Sequence, residues 1–144
     1  MKKFEFRSDI AIADSAFYAY GKNAAELIVH ACQATTEAMV DIKKIEAKEE
    51  IKISKKSDTL ENLLYAVLEE IIYLKDAKQL VFNDFKVEEI KTGSNAYSII
   101  MSAKGEKISR KKHEAHADVK AITYYDYYVE QTSGGYKASV ILDV

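Results

Sequence analysis

Proline is absent from the 144 residues, tryptophan is absent too, and cysteine occurs once. Without proline, every turn depends on Gly, Asn, Asp or Ser for its backbone geometry. With Cys32 alone no internal disulfide can form, which suits a reducing compartment. A continuous apolar run of about 18 residues is also missing, so no membrane span is expected. The opening Met1-Lys2-Lys3-Phe4-Glu5-Phe6 carries two lysines in the manner of a signal peptide. Glu5, Arg7 and Asp9 interrupt the apolar stretch of about 7–15 residues that such a peptide requires. The expected location is cytoplasmic. A basic excess is lacking as well, since the net charge is −2. A protein that grips nucleic acid through its phosphates is strongly basic, so any RNA would be held mainly by a partner.

What the chain does have is apolar content, 48% of its residues, enough for one domain spanning 1–144 with a proper core. No composition shift or Gly/Ser-rich linker divides it. Phe4 to Phe6 alternates as a strand, and Ser15 to Tyr20 reads as a second, closed at Gly21. Asn23 caps a first helix with Glu26 at the capping-box spacing, and Leu27, Ala31, Ala34 and Ala38 carry a helical period to about Val40. Glu50 to Ser54 alternates as a strand. Asp58 is the expected cap of a second helix, with Glu61 three residues on. The stripe from Leu60 through Leu63, Leu64, Val67, Leu68, Ile71, Ile72 and Leu74 is wide enough to predict deep burial. Four strands follow: Leu80 to Lys91 with a break near Asp84, Ala96 to Glu106, Val119 to Gln131, and Tyr136 to Leu142. Gly93-Ser94-Asn95 and Ser133-Gly134-Gly135 supply two hairpins. The order predicts an α+β fold with two helices packed on an antiparallel or mixed sheet.

Few residues look chemically equipped. His113 and His116 frame His-Glu-Ala-His, three apart where the helical zinc motif needs four, and the preceding Arg110-Lys111-Lys112 favours a solvated loop. His30 reads as a core or surface histidine. Cys32 lies in an amphipathic helix and reads as inert. The basic run Lys104, Lys107, Arg110, Lys111 and Lys112 reads as a solvated face rather than a phosphate site. Tyr124, Tyr125, Tyr127 and Tyr128 could offer a stacking platform for bases, but alternation along a strand favours sheet packing with one or two phenols at a surface. Asp14, Asp143 and the main-chain carboxylate of Val144 are hard oxygen donors of the kind that Ca²⁺, Mg²⁺ or Mn²⁺ prefers. On the residues alone, a solvated acidic terminus is the simpler reading.

Taken in order, several segments resemble the archease family: Ala11-Ile12-Ala13-Asp14 followed by Phe17-Tyr18-Ala19-Tyr20-Gly21-Lys22; Leu63-Leu64-Tyr65 through Glu69-Glu70-Ile71-Ile72-Tyr73-Leu74 and Leu80-Val81-Phe82; Gly105-Glu106, His113-Glu114 and Val119-Lys120-Ala121-Ile122-Thr123-Tyr124; and Gly134-Gly135-Tyr136 to Val140-Ile141-Leu142-Asp143-Val144. The resemblance implies a fold in which one strand-helix-strand-strand unit is inserted within another. It implies a bound divalent cation, usually calcium, held by Asp14, Asp143 and Val144. It also implies a role as a non-catalytic accessory to an RNA-splicing ligase of the kind that joins tRNA halves, promoting guanylylation of that ligase and its repeated turnover. The GTP and manganese would belong to the ligase, tRNA would be met only indirectly, and a monomer is expected. Lys120 matches a family lysine in the late motif and is carried over as a partner-binding candidate, the alternative being an ordinary exposed strand lysine. Compact, tyrosine- and lysine-rich and without an added domain, the chain suits an archaeal protein. Two positions depart from the family pattern: Ala11-Ile12 replaces a polar His-Thr, and Tyr125 replaces a histidine. The first removes polar support beside Asp14, which would alter the metal site. The competing functional classes are a metal-dependent hydrolase of a phosphorylated substrate, which needs a general base beside the cation, and a scaffold or chaperone indifferent to metal.

Overall fold

The computed structural model describes residues 2–8 and 14–144. Within them the chain runs β1 (Phe4–Phe6), β2 (Asp14–Gly21), α1 (Ala24–Met39), β3 (Glu49–Ser57), α2 (Leu60–Lys78), β4 (Leu80–Lys91), β5 (Tyr97–Lys107), α3 (Arg110–His113), β6 (Ala121–Ile122), β7 (Tyr128–Thr132) and β8 (Gly135–Asp143). These strands form two sheets, and every pairing among them is antiparallel. One has the order β1-β2-β8, with β6 and β7 sharing the far side of β8, and the other has the order β3-β5-β4. The expected inserted unit is β3-α2-β4-β5. It makes up the second sheet and its helix, while β2 and β8, far apart in sequence, are neighbours in the first.

Both long helices touch strands of both sheets, and the core lies between. Leu27, Ile28, Ala31, Cys32 and Ala34 of α1 are fully buried. The α2 stripe is buried at Leu63, Leu64, Val67, Leu68, Ile71, Ile72 and Leu74, and each large side chain so covered contributes about 1.5–3 kcal/mol. Asn23 caps α1 as expected: the Glu26 amide donates to its side chain at 2.9 Å, while the Glu26 carboxylate reaches back to the Lys22 amide. At α2 the cap is Thr59 rather than Asp58. The Asp58 carboxylate instead accepts from the Asn62 side-chain amide, leaving the Thr59 hydroxyl to take the Asn62 backbone amide.

The break expected near Asp84 is a bulge between Phe82 and Asp84, and a second falls between Val87 and Glu89. Opposite the first, Gly105 pairs with Phe82. A Cβ there would lie 1.8 Å from the Val81 carbonyl oxygen, so the strand can approach this closely only as glycine.

Two further expectations fail. Val119 to Gln131 is not one strand; it is divided into β6 and β7, because Asp126 takes a left-handed conformation (φ 52°) that no continuous strand allows. The segment holding His113 is not a solvated loop. It forms the single turn α3, capped by Ser109, and His113 is wholly buried.

Candidate functional site

One end of the five-stranded sheet gathers the acidic residues singled out from the sequence. Asp14, the first residue of β2, pairs directly with Asp143 of β8. On its other side Asp143 pairs with Ala121 of β6, and its carbonyl accepts the Lys120 amide at 2.8 Å. Asp14, Asp143 and Lys120 thus converge at one sheet end. Val144 follows, its side chain packed against the core. Like charges in directly opposed strand positions are destabilising. Aspartate supplies the carboxylate oxygens that a hard divalent cation takes. Among the residues whose side chains are described, no three His, Cys, Asp or Glu gather as a metal cluster. Ala11-Ile12, in place of the family's polar pair, lies outside the described residues.

A second polar centre escaped sequence reasoning. Glu106, near the end of β5, is 6% exposed. Its carboxylate accepts from His113 Nε2 at 2.9 Å, from Lys112 Nζ at 2.9 Å and from the Glu46 amide at 2.7 Å, with Lys48 Nζ at 3.4 Å. The Ser109 amide donates to His113 Nδ1, so the proton on that ring sits on Nε2 and points at Glu106. The His113 hydrogen bond, with the backbone and lysine donors, holds the Glu106 carboxyl far below the ordinary carboxylate range against the opposing effect of burial. The hub clamps α3 and the segment before β3 onto the inserted sheet. Nothing in the local sequence pattern signals it, since Glu46, Glu106 and His113 meet only through the fold.

The third feature is a tyrosine corner. Tyr65 of α2 stacks flat on Tyr124, ring centroids 4.2 Å apart and planes 2° from parallel. Tyr127 meets both rings edge-on. The Tyr65 hydroxyl donates to the Ile122 carbonyl and that of Tyr127 to the Glu61 carbonyl. Burial raises both phenols above their ordinary range, that of Tyr127 far above it, so both remain donors. An Arg7–Asp126 ion pair of 2.9 Å anchors the turn. Sheet packing is therefore not what holds Tyr124 and Tyr125, which lie in this turn and are exposed.

The remaining candidates are satisfied internally. His30 Nδ1 donates to the Tyr20 carbonyl and His116 Nδ1 to the Glu37 carbonyl. Cys32 is buried, and burial pushes its thiol well up, away from the reactive thiolate. The basic run is only partly a solvated face: Lys107 donates to the Lys78 carbonyl, and Lys112 joins Glu46 and Glu106.

The Archease protein family model matches residues 4–144. The chain belongs to the archease family. Relatives in that family agree over nearly the full length. The archease of Methanosarcina mazei is 36% identical over 143 residues, covering 99% of this chain and 97% of that one. The archease of Pyrococcus furiosus is 39% identical over 133 residues, covering 92% and 93%. The solution structure of Methanobacterium thermoautotrophicum protein 1598 superposes with a TM-score of 0.85 at 35% identity, covering all of both chains. A Thermotoga maritima crystal structure, described as an archease and possible chaperone, shares the fold at TM-score 0.61 and 21% identity, covering 97% and 98%. The archease fold accounts for the inserted unit and for the pairing of β2 with β8. In this archease-family chain the described residues include no helix long and apolar enough to cross a membrane.

Proposed function

We propose that this protein is a non-catalytic activator of a GTP-dependent RNA-splicing (tRNA) ligase, promoting its guanylylation and multiple turnover. A divalent cation, Ca²⁺ or a similar ion, is held by Asp14, Asp143 and the main-chain carboxylate of Val144, and Lys120 faces the partner beside it. The reading is carried by the pairing of Asp14 with Asp143 at the sheet end that also holds Lys120, in a chain that matches the archease family over residues 4–144. The cation offsets the repulsion of the opposed aspartates and fixes the end of β8, and the ordered end presents Lys120 to the ligase. An accessory shifts its partner only through different affinities for the partner's states, so activation requires the sheet end to bind the guanylylation-competent ligase more tightly. The buried titratable groups support action through the surface: Glu106, His113 and Lys75 are engaged in internal contacts, and Cys32 is sealed in the core.

The test is guanylylation of the ligase from the same organism, with and without this protein, wild type beside Asp143→Ala. The expected outcome is acceleration by wild type and its loss in the variant. An active ligase that a well-folded wild type fails to accelerate would sink the ligase role and leave an archease fold with another partner.

A further inference from the structure

Tyr124 is 69% exposed, Tyr125 78% and Tyr73 55%. Tyr124 lies flat on the Tyr65 ring, while Tyr73 and Lys120 line a cleft of about 250 Å³ that Tyr65 also walls, together with Glu69 and Asp76. A ring that exposed contributes little to the core. Its conformation is nevertheless fixed, by the stack beneath it, the edge contact of Tyr127 and the Arg7–Asp126 anchor of its turn. The result is an aromatic surface with one face already stacked and the other open.

We infer that the Tyr65–Tyr124 stack is a binding site for one unpaired nucleobase of a single-stranded RNA, the base continuing the stack on the open face of Tyr124. Base–aromatic stacking is tolerant of sequence and uses flat, pre-oriented rings of this kind. A protein partner would need a contiguous apolar centre ringed by polar groups. Here the other exposed large apolar residues, Phe6 on β1 and Ile100 on β5, lie on other elements, and the surroundings of the stack are charged. Lys120, in the cleft that Tyr65 rather than Tyr124 walls, is the cation for the phosphate of the adjoining nucleotide. Glu69 and Asp76 would repel a continuous phosphate track and can accept from a 2′-hydroxyl or an exocyclic amine, which limits the ligand to a terminal or bulged nucleotide. The site stands on this geometry alone and needs neither the ligase nor a metal.

The probe is a short single-stranded oligoadenylate carrying 2-aminopurine, titrated by fluorescence against the full chain without ligase. Wild type should quench the probe and saturate. Its affinity should fall by no more than one phosphate's worth with salt, a log–log slope of about −0.7. Tyr124→Ala should weaken binding roughly ten-fold or more, the loss of one stack, while Tyr124→Phe keeps it and Lys120→Ala flattens the salt slope. Circular dichroism melts confirm that the variants fold. The proposal is overturned if wild type leaves the probe unquenched, or if Tyr124→Ala binds as wild type does. Loss of ligase capture in Tyr124→Ala with RNA affinity unchanged would also overturn it, making the corner a protein contact. Ligase guanylylation plays no part in this titration, so the two readings fail separately.

Discussion

Asp14 and Asp143 stand directly opposite each other across β2 and β8, at the sheet end where Ala121 completes the row and the Lys120 amide donates to the Asp143 carbonyl. A like-charged pair in this position costs stability until something positive compensates it. That gives the site a signature measurable without any partner.

In chelator, Asp143→Asn should melt at the same temperature as wild type or slightly above it, the relief being worth about 0.2–1 kcal/mol. With millimolar Ca²⁺ the order should reverse. Wild type should gain several degrees, because a ligand bound only by the folded state stabilises it by mass action, and the variant should gain little. Differential scanning fluorimetry across Ca²⁺, Mg²⁺ and Mn²⁺ reads both signs. A wild-type melting temperature indifferent to all three ions would remove the cation from the account.

Glu106 predicts the acid limb. Its carboxyl is depressed in the folded state by His113 and its other donors, so its contribution is fully present above the unfolded value, about 4.3. That contribution is lost as pH falls through the lower folded value. Glu106→Gln should therefore flatten the stability–pH curve below about pH 4.3. At neutral pH it should cost about 1–3 kcal/mol, since charged hydrogen bonds are weakened and buried donors left short. Urea melts between neutral pH and about pH 3 check it; parallel curves for wild type and variant would show that the carboxylate is not the acid-labile group.

Gly105→Ala tests the bulge. The new methyl would meet the Val81 carbonyl oxygen, a backbone atom that cannot rotate away, so β4 must shift. The expected loss is about 2–4 kcal/mol, in the range of strong overpacking. Chemical denaturation measures it, and a loss under about 0.5 kcal/mol, the scale of an ordinary surface change, would mean that the strands do not approach so closely.

Lys75 is buried near the end of α2, and its ammonium donates to the Asp118 carboxylate at 3.0 Å and the Val119 carbonyl at 2.6 Å. Lys75→Met keeps the aliphatic stem and removes both bonds, at a cost of about 1–3 kcal/mol for the unpaired carbonyl and carboxylate. Amide exchange should accelerate locally at 117–122, the segment leading into β6. Unchanged exchange there would show that other contacts hold it.

The parts of this fold that could be read from the sequence are those whose pattern is local. The α2 stripe, the Asn23–Glu26 cap and the interruption at Asp84 each declare themselves within a few residues. The division of Val119 to Gln131 does not: tyrosine and valine favour a strand throughout, and only the left-handed Asp126, held by distant Arg7, breaks it. The Glu106–His113 contact joins β5 to α3 through burial that neither residue type predicts. The acidic site lies between. Asp14 and Asp143 are visible as oxygen donors, but their pairing depends on strand register between distant segments, which residue types do not specify. Family resemblance supplied the link, and β2–β8 pairing gives it a geometry.

The position of β8 bears on how the molecule is made. The last strand in the sequence is an inner strand of its sheet, with β2 on one side and β6 and β7 on the other. Its contacts with β2 close almost the whole chain into one loop, the kind of non-local pairing that slows folding. A nascent chain lacking β8 could assemble β3-α2-β4-β5 around its own local contacts while leaving β2, β6 and β7 without their neighbour and the underside of α1 open. The chain would then be exposed to aggregation until β8 arrived, and the pairing of Asp143 with Asp14 would mark the moment at which that exposure ceases.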